Sequence, residues 1–123
     1  MAKILIVDDS DSVRQQLRKD LEQGGHTTIE AKDGLDGIEK FKSNSDVQVV
    51  LADVNMPNMD GLTMVQNLSQ VSHYKNAAVL MLTTEANEAM KKQAKEYGVR
   101  AWIVKPYVPA KVLAAIDAIT KKK

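Results

Sequence analysis

Cysteine is missing from this 123-residue chain. Its absence excludes disulfides, a thiolate metal site and a cysteine nucleophile, and it suits the cytoplasm. A charge imbalance is missing too. Seventeen Lys and Arg against 16 Asp and Glu leave a formal net charge of +1, so no strong footprint for nucleic acid or a membrane surface is expected. Long apolar runs are also lacking. The longest, such as AAVLML at 77–82, fall far short of a bilayer span. The opening MAKILIV enters a strand-like run at once, without the extended apolar region and small-residue cleavage site of a signal peptide. No internal repeat, low-complexity segment or linker breaks the chain. The KKK at 121–123 reads as a solvated tail or as the start of a linker. The length suits one domain over residues 1–123 with one core.

What is there is an alternation of two periods. KILIV (3–7), TTIEA (27–31), VQVVLADV (47–54), AAVLML (77–82) and RAWIV (100–104) read as strands, the second the weakest and nearest an edge. Between them run helix-period stretches. Val13, Leu17 and Leu21 form one stripe, stopped by Gly24-Gly25, and Leu35, Ile38 and Phe41 form the next. Leu62, Val65 and Leu68 mark a third helix after the turn PNMDG. Residues 87–97 read as a fourth, with Asn87 as N-cap and Gly98 as stop. Pro109 suits the first turn of a fifth, which carries Val112, Leu113, Ile116 and Ile119. Five such units predict an α/β fold: a five-stranded parallel sheet, doubly wound, with five helices on its two faces. Right-handed crossovers then bring all five C-terminal strand ends to one edge, where ligands bind in open α/β sheets.

Polar groups collect at that edge. Asp8 and Asp9 follow the first strand, Asp53 and then Asn55 the third, Thr83, Thr84 and Glu85 the fourth, and Lys105 the fifth; the second offers only Lys32 and Asp33. Singly, each has a plain use. Asp8 or Asp9 would cap a helix, the threonines would satisfy backbone groups, and Lys105 would be a solvated strand end. Asp53 is different, because it directly follows VVLA and an ionised carboxylate so placed needs a partner. Four strand ends converging make plain uses a poor account of the whole.

Three neighbouring carboxylates repel unless a cation joins them. Mg²⁺ takes oxygen ligands, keeps several waters and commonly sits beside a phosphate. A carboxylate is also a nucleophile able to form an aspartyl-phosphate, with metal and lysine offsetting charge on the phosphoryl oxygens. A nucleotide loop is absent, since GLDG at 34–37 is no Walker A motif. His26 and His73 fall in expected surface segments and read as loop residues.

VDDS, ADVNMPNMDG, MLTTE and VKPY, in that order at strand ends, are the motifs by which the whole chain resembles a response-regulator receiver domain of the stand-alone CheY type. The resemblance implies a flavodoxin-like sheet of strand order 2-1-3-4-5; that order comes from the family, not from the spacing. It implies that Asp53 is the phosphoacceptor and that Asp9, Asp53 and the backbone carbonyl of Asn55 bind Mg²⁺ directly, with Asp8 an outer ligand through water. Lys105 matches the lysine that pairs with the phosphoryl group, and Thr83 the hydroxyl that moves toward it. The Lys105-Pro106 bond matches a position usually cis. Asn55 and Glu85 stand where chemotaxis members tune phosphoryl lifetime. Trp102 stands where the family usually has the Tyr or Phe that swings inward as a switch; indole is larger and donates through one N–H. Thr84 replaces the usual Ala or Gly and crowds access to the phosphoryl group.

The function implied is a two-component switch. It is not an enzyme beyond its own phosphoryl transfer and autodephosphorylation. Its partners would be a CheA-like histidine kinase, the flagellar motor switch protein and a phosphatase, and the protein would be a cytoplasmic monomer. With no second domain in the sequence, output would come through partner binding. Lys91, Lys92 and Lys95 on the fourth helix offer a docking patch for an acidic partner. A relay intermediate or phosphate sink is the alternative. An aspartyl-nucleophile phosphatase would want a carboxylate at Asn55, and an FMN protein a phosphate loop where this chain has acidic DDSD.

Overall fold

In the computed structural model, which describes residues 2–120, the alternation becomes a parallel sheet with helices on both faces. The elements are β1 (Lys3–Val7), α1 (Asp11–Gln23), β2 (Thr27–Ala31), α2 (Gly34–Ser43), β3 (Val49–Ala52), α3 (Gly61–Leu68), β4 (Ala78–Thr83), α4 (Glu88–Glu96), β5 (Val99–Val104) and α5 (Pro109–Thr120). The strand order is β2-β1-β3-β4-β5, every pair parallel. The chain passes from β1 outward to β2, then returns across β1 to β3, so the order reverses between β1 and β3. The expected KKK tail lies outside the described residues.

Strand pleating divides the core in two, because successive side chains face opposite sides of the sheet. Leu5, Val7, Val50, Ala52, Val79 and Met81 face one side, where Phe41 of α2 and Met64, Val65 and Leu68 of α3 cover them. Ile4, Ile6, Val49, Leu51, Leu80 and Leu82 face the other, under Leu17 and Leu21 of α1 and Val112 and Ile116 of α5. Strands β3 and β4 are buried along their whole length, and β1 from its second residue. Phe41 is fully buried; emptying such a site costs about 3–5 kcal/mol.

Helix ends follow their caps. Ser10, Asp33, Asp60 and Asn87 each accept a backbone N–H of the first turn with the side chain. Gly98 takes a φ of 94° just beyond α4, as expected of the stop there.

Several expectations need correction. The third strand is Val49–Ala52, shorter than 47–54, while the fourth extends to Thr83 and the fifth begins at Val99. A 3-10 turn at Ser72–Asn76 had no counterpart in the sequence reading. β5 stands at the sheet edge, as the order 2-1-3-4-5 requires, but its apolar run is half-exposed, with Val104 at 45%. Leu35 is 51% exposed, because Gly34, Gly37 and Phe41 form the buried stripe of α2. The histidines are not surface loop residues. His26 is buried, with Nδ1 accepting the Ala2 N–H at 3.0 Å. His73 is partly buried; its ring stacks on Phe41 at 4.5 Å, and its Nε2 lies 2.8 Å from the Phe41 carbonyl.

Candidate functional site

Backbone pairing aims the acidic residues. The Asp8 N–H continues the sheet by donating to the Ala31 carbonyl at 3.2 Å, and the Asp53 N–H donates to the Val7 carbonyl at 3.0 Å. Both residues therefore stand at the C-terminal edge, beside the reversal in strand order. The Asp8 carboxylate is almost fully enclosed and accepts the Ser10 N–H on Oδ1 at 2.9 Å. Lys105 arrives from the far strand. Its N–H donates to the Thr83 carbonyl at 2.8 Å, and the Lys105-Pro106 bond is cis, as the resemblance implies.

Its ammonium then bridges the two carboxylates: Nζ is 2.8 Å from Asp8 Oδ2 and 3.0 Å from Asp53 Oδ2. Burial pulls the Lys105 ammonium toward the neutral form, but its hydrogen bonds to Asp8 and Asp53, and their charges, prevail and hold it above the ordinary lysine range. Asp9 is exposed at the rim, and one carboxylate oxygen from each of Asp8, Asp9 and Asp53 lies within 4.8 Å of the others. One ammonium against three carboxylates leaves the cluster short of positive charge. The donors are hard oxygens, and the exposed side of the cluster leaves room for waters. A hard divalent cation such as Mg²⁺ fits this donor set, and a thiophilic one does not.

Around the cluster the expected residues divide. Asn55 and Glu85 meet directly, Nδ2 donating to Oε2 at 2.7 Å, and the Asn55 N–H points toward Asp53 Oδ1 at 3.4 Å. Thr83 ends β4 fully buried, and its Oγ1 accepts the Glu85 N–H at 3.2 Å. Among the described residues its hydroxyl makes no hydrogen bond to Asp53 or Lys105. Trp102 packs against the α2–α3 side of the core, and its Nε1–H donates to the Glu85 carbonyl at 2.9 Å. The indole is thus tied to the loop after β4. Thr84 is exposed and lines a groove of about 530 Å³ with Val13, Gln16, Lys105 and Tyr107. On α4, Lys92 and Lys95 are exposed, while Lys91 lies 3.5 Å from Glu88.

Three participants were not legible in the motifs. Asp33, left over after the second strand, is buried and accepts from Asn58 Nδ2 at 2.8 Å. Asn58 holds a left-handed φ of 69° in the loop between Asp53 and α3. Arg14 donates to the backbone carbonyl of Asp8. Its place one turn inside a helix that follows paired aspartates was the only available signal.

A family model for the response regulator receiver domain matches residues 4–117. The chain is 34% identical over 118 residues to chemotaxis protein CheY1 of Helicobacter pylori, covering 95% of each protein. It is 37% identical over 123 residues to chemotaxis protein CheY-3 of Vibrio cholerae, covering 98% of this chain and 92% of that one. Among solved structures, CheY4 of Vibrio cholerae superposes with a TM-score of 0.90 at 37% identity, covering 97% of this chain and 98% of that one. CheY in a CheX-CheY-BeF3-Mg²⁺ complex from Borrelia burgdorferi gives 0.91 at 33% identity, covering 98% and 90%. Fold, paired acidic strand ends and overall likeness agree, and the chain belongs to the response regulator receiver domains, with CheY chemotaxis proteins as its relatives.

Proposed function

We propose that this two-component response regulator accepts a phosphoryl group on Asp53 from the phosphohistidine of a CheA-like kinase, and thereby switches a partner-binding surface in chemotaxis. The observation that carries this is Lys105 Nζ held between Asp8 and Asp53 at the base of an acidic cluster. Asp9, Asp53 and the Asn55 carbonyl would hold Mg²⁺ directly and Asp8 through water; receiver domains bind Mg²⁺ at such an acidic pocket. When bound, the ion offsets negative charge on the phosphoryl oxygens.

Asp53 supplies the nucleophile. One carboxylate oxygen bonds to phosphorus as the P–N bond to imidazole breaks, and the leaving nitrogen takes a proton from water. The Lys105 ammonium moves from its carboxylate partners to the new phosphoryl oxygens, which carry more charge than the single oxygen they replace. Thr83 donates its hydroxyl to one of them. That draws on the loop whose Glu85 N–H and carbonyl are tied to Thr83 and Trp102. The face formed by α4, β5 and α5 then changes. Asn55 and Glu85, paired across the opening, govern how water approaches the acyl phosphate and hence the lifetime of the signal. The protein would act as a cytoplasmic switch, with no turnover beyond its own phosphorylation and dephosphorylation.

Motor control is the output we favour. The test is capture by the flagellar motor switch protein, with and without Mg²⁺ and beryllofluoride as a phosphoryl mimic. Binding that strengthens with the mimic supports it; no binding in either state points instead to a relay or phosphate sink. Trp102 is the only tryptophan, so its emission should change when the mimic binds, reporting the loop directly.

A further inference from the structure

Asp9 is the exposed member of the acidic cluster. Among the described residues its carboxylate enters no hydrogen bond or ion pair, so its direction comes from the backbone that carries it. That backbone is gripped from one side. The Asp8 carbonyl, half of the Asp8-Asp9 peptide, accepts Nη1–H of Arg14 at 2.5 Å. Arg14 is itself fixed between two elements, α1 and β2. It grows from α1, its Nε–H donates to Glu30 Oε1 of β2 at 3.1 Å, and its Nη2 pairs with Asp11 at the helix start. The side chain is 12% exposed. Glu30 and Asp11 between them neutralise the guanidinium. What remains for the site is therefore direction, delivered by a rigid planar fork that an ammonium cannot reproduce.

We propose that Arg14 is a positioning residue for the divalent-cation site: by holding the Asp8 carbonyl it sets the plane of the Asp8-Asp9 peptide and so aims the Asp9 carboxylate. This rests on the reading of Asp9 as a Mg²⁺ ligand. Outer partners that orient a ligand typically contribute 10–100-fold in metal affinity. An arginine that merely tied α1 to β2 would affect stability alone.

The test is calorimetric titration of Mg²⁺ into the full chain, with urea unfolding of every variant. Arg14→Ala should weaken Mg²⁺ binding by about ten-fold or more. Arg14→Lys keeps a positive charge beside Glu30 and Asp11 but loses the fork; it should recover stability and leave Mg²⁺ binding weak. Arg18→Ala is the control, because Arg18 pairs with Glu22 and Glu30 on the same surface without a contact to Asp8; its Mg²⁺ affinity should stay at the wild-type value. A folded Arg14→Ala that binds Mg²⁺ like wild type would overturn the proposal. So would full recovery of Mg²⁺ affinity in Arg14→Lys, which also decides the matter if the alanine variant fails to fold. Absence of Mg²⁺ binding by the wild-type chain would instead remove the metal reading, and this inference with it.

Discussion

Asp33 serves two neighbours with one carboxylate. Oδ1 accepts the Asp36 N–H at 2.8 Å and caps α2, while Oδ2 accepts from Asn58 at 2.8 Å and holds the loop after Asp53. The Asp36 N–H, then the Asn58 amide, favour the ionised form and hold its pKa below the ordinary 3.8. A carboxyl depressed in the folded state stabilises above its unfolded pKa, and that stabilisation fades as pH falls through the folded one. Asp33→Ala should therefore cost about 1–2 kcal/mol at neutral pH through the lost cap. The gap from wild type should narrow as pH drops below 3.8, as read by urea unfolding across a pH series. A gap independent of pH would mean that the charge contributes nothing. Local pattern could not single out Asp33, because its partner lies 25 residues downstream. Lys105 and Asp8 are 97 residues apart, yet both were legible, because parallel strands bring every C-terminal end to one edge.

Contacts between elements set the site's tolerance. Gly61 opens α3 against the strand end that carries Asp53, and its N–H donates to the Val54 carbonyl at 2.8 Å. A Cβ there would lie 2.0 Å from the Asp53 carbonyl oxygen, so backbone must move. Gly61→Ala should destabilise by at least the ~1–3 kcal/mol typical of overpacking. It should also slow phosphorylation of whatever fraction stays folded, because the displaced atoms belong to the acceptor residue. Wild-type labelling kinetics in this variant would count against so close a coupling. The same closeness explains where helix periodicity misled. At α2 a Cβ on Gly37 would meet Met64 Sδ at 2.7 Å. The helix lies so near the core that glycines, not Leu35, face inward, and a stripe of glycines leaves no hydrophobic signal. Interior strands were readable because they are covered on both faces. β5 was readable as a strand, but its half-exposure was not, because apolar composition alone does not tell an edge strand from a central one.

Across the molecule, one edge of one sheet gathers acids from β1 and β3, a hydroxyl from β4 and an ammonium from just past β5. Element order and acidic motifs were enough to expect that gathering. The partners of each group were not, since Trp102 on the Glu85 carbonyl and Arg14 on the Asp8 carbonyl are side-chain bonds to backbone that no spacing encodes. The proposed switch depends on Asp53 as the acceptor. Intact-mass measurement after treatment with acetyl phosphate tests this most directly, with and without Mg²⁺, on wild type and Asp53→Asn. The wild-type chain should gain a single phosphoryl increment that requires Mg²⁺ and is absent from the variant. Stoichiometric labelling of Asp53→Asn would contradict that assignment.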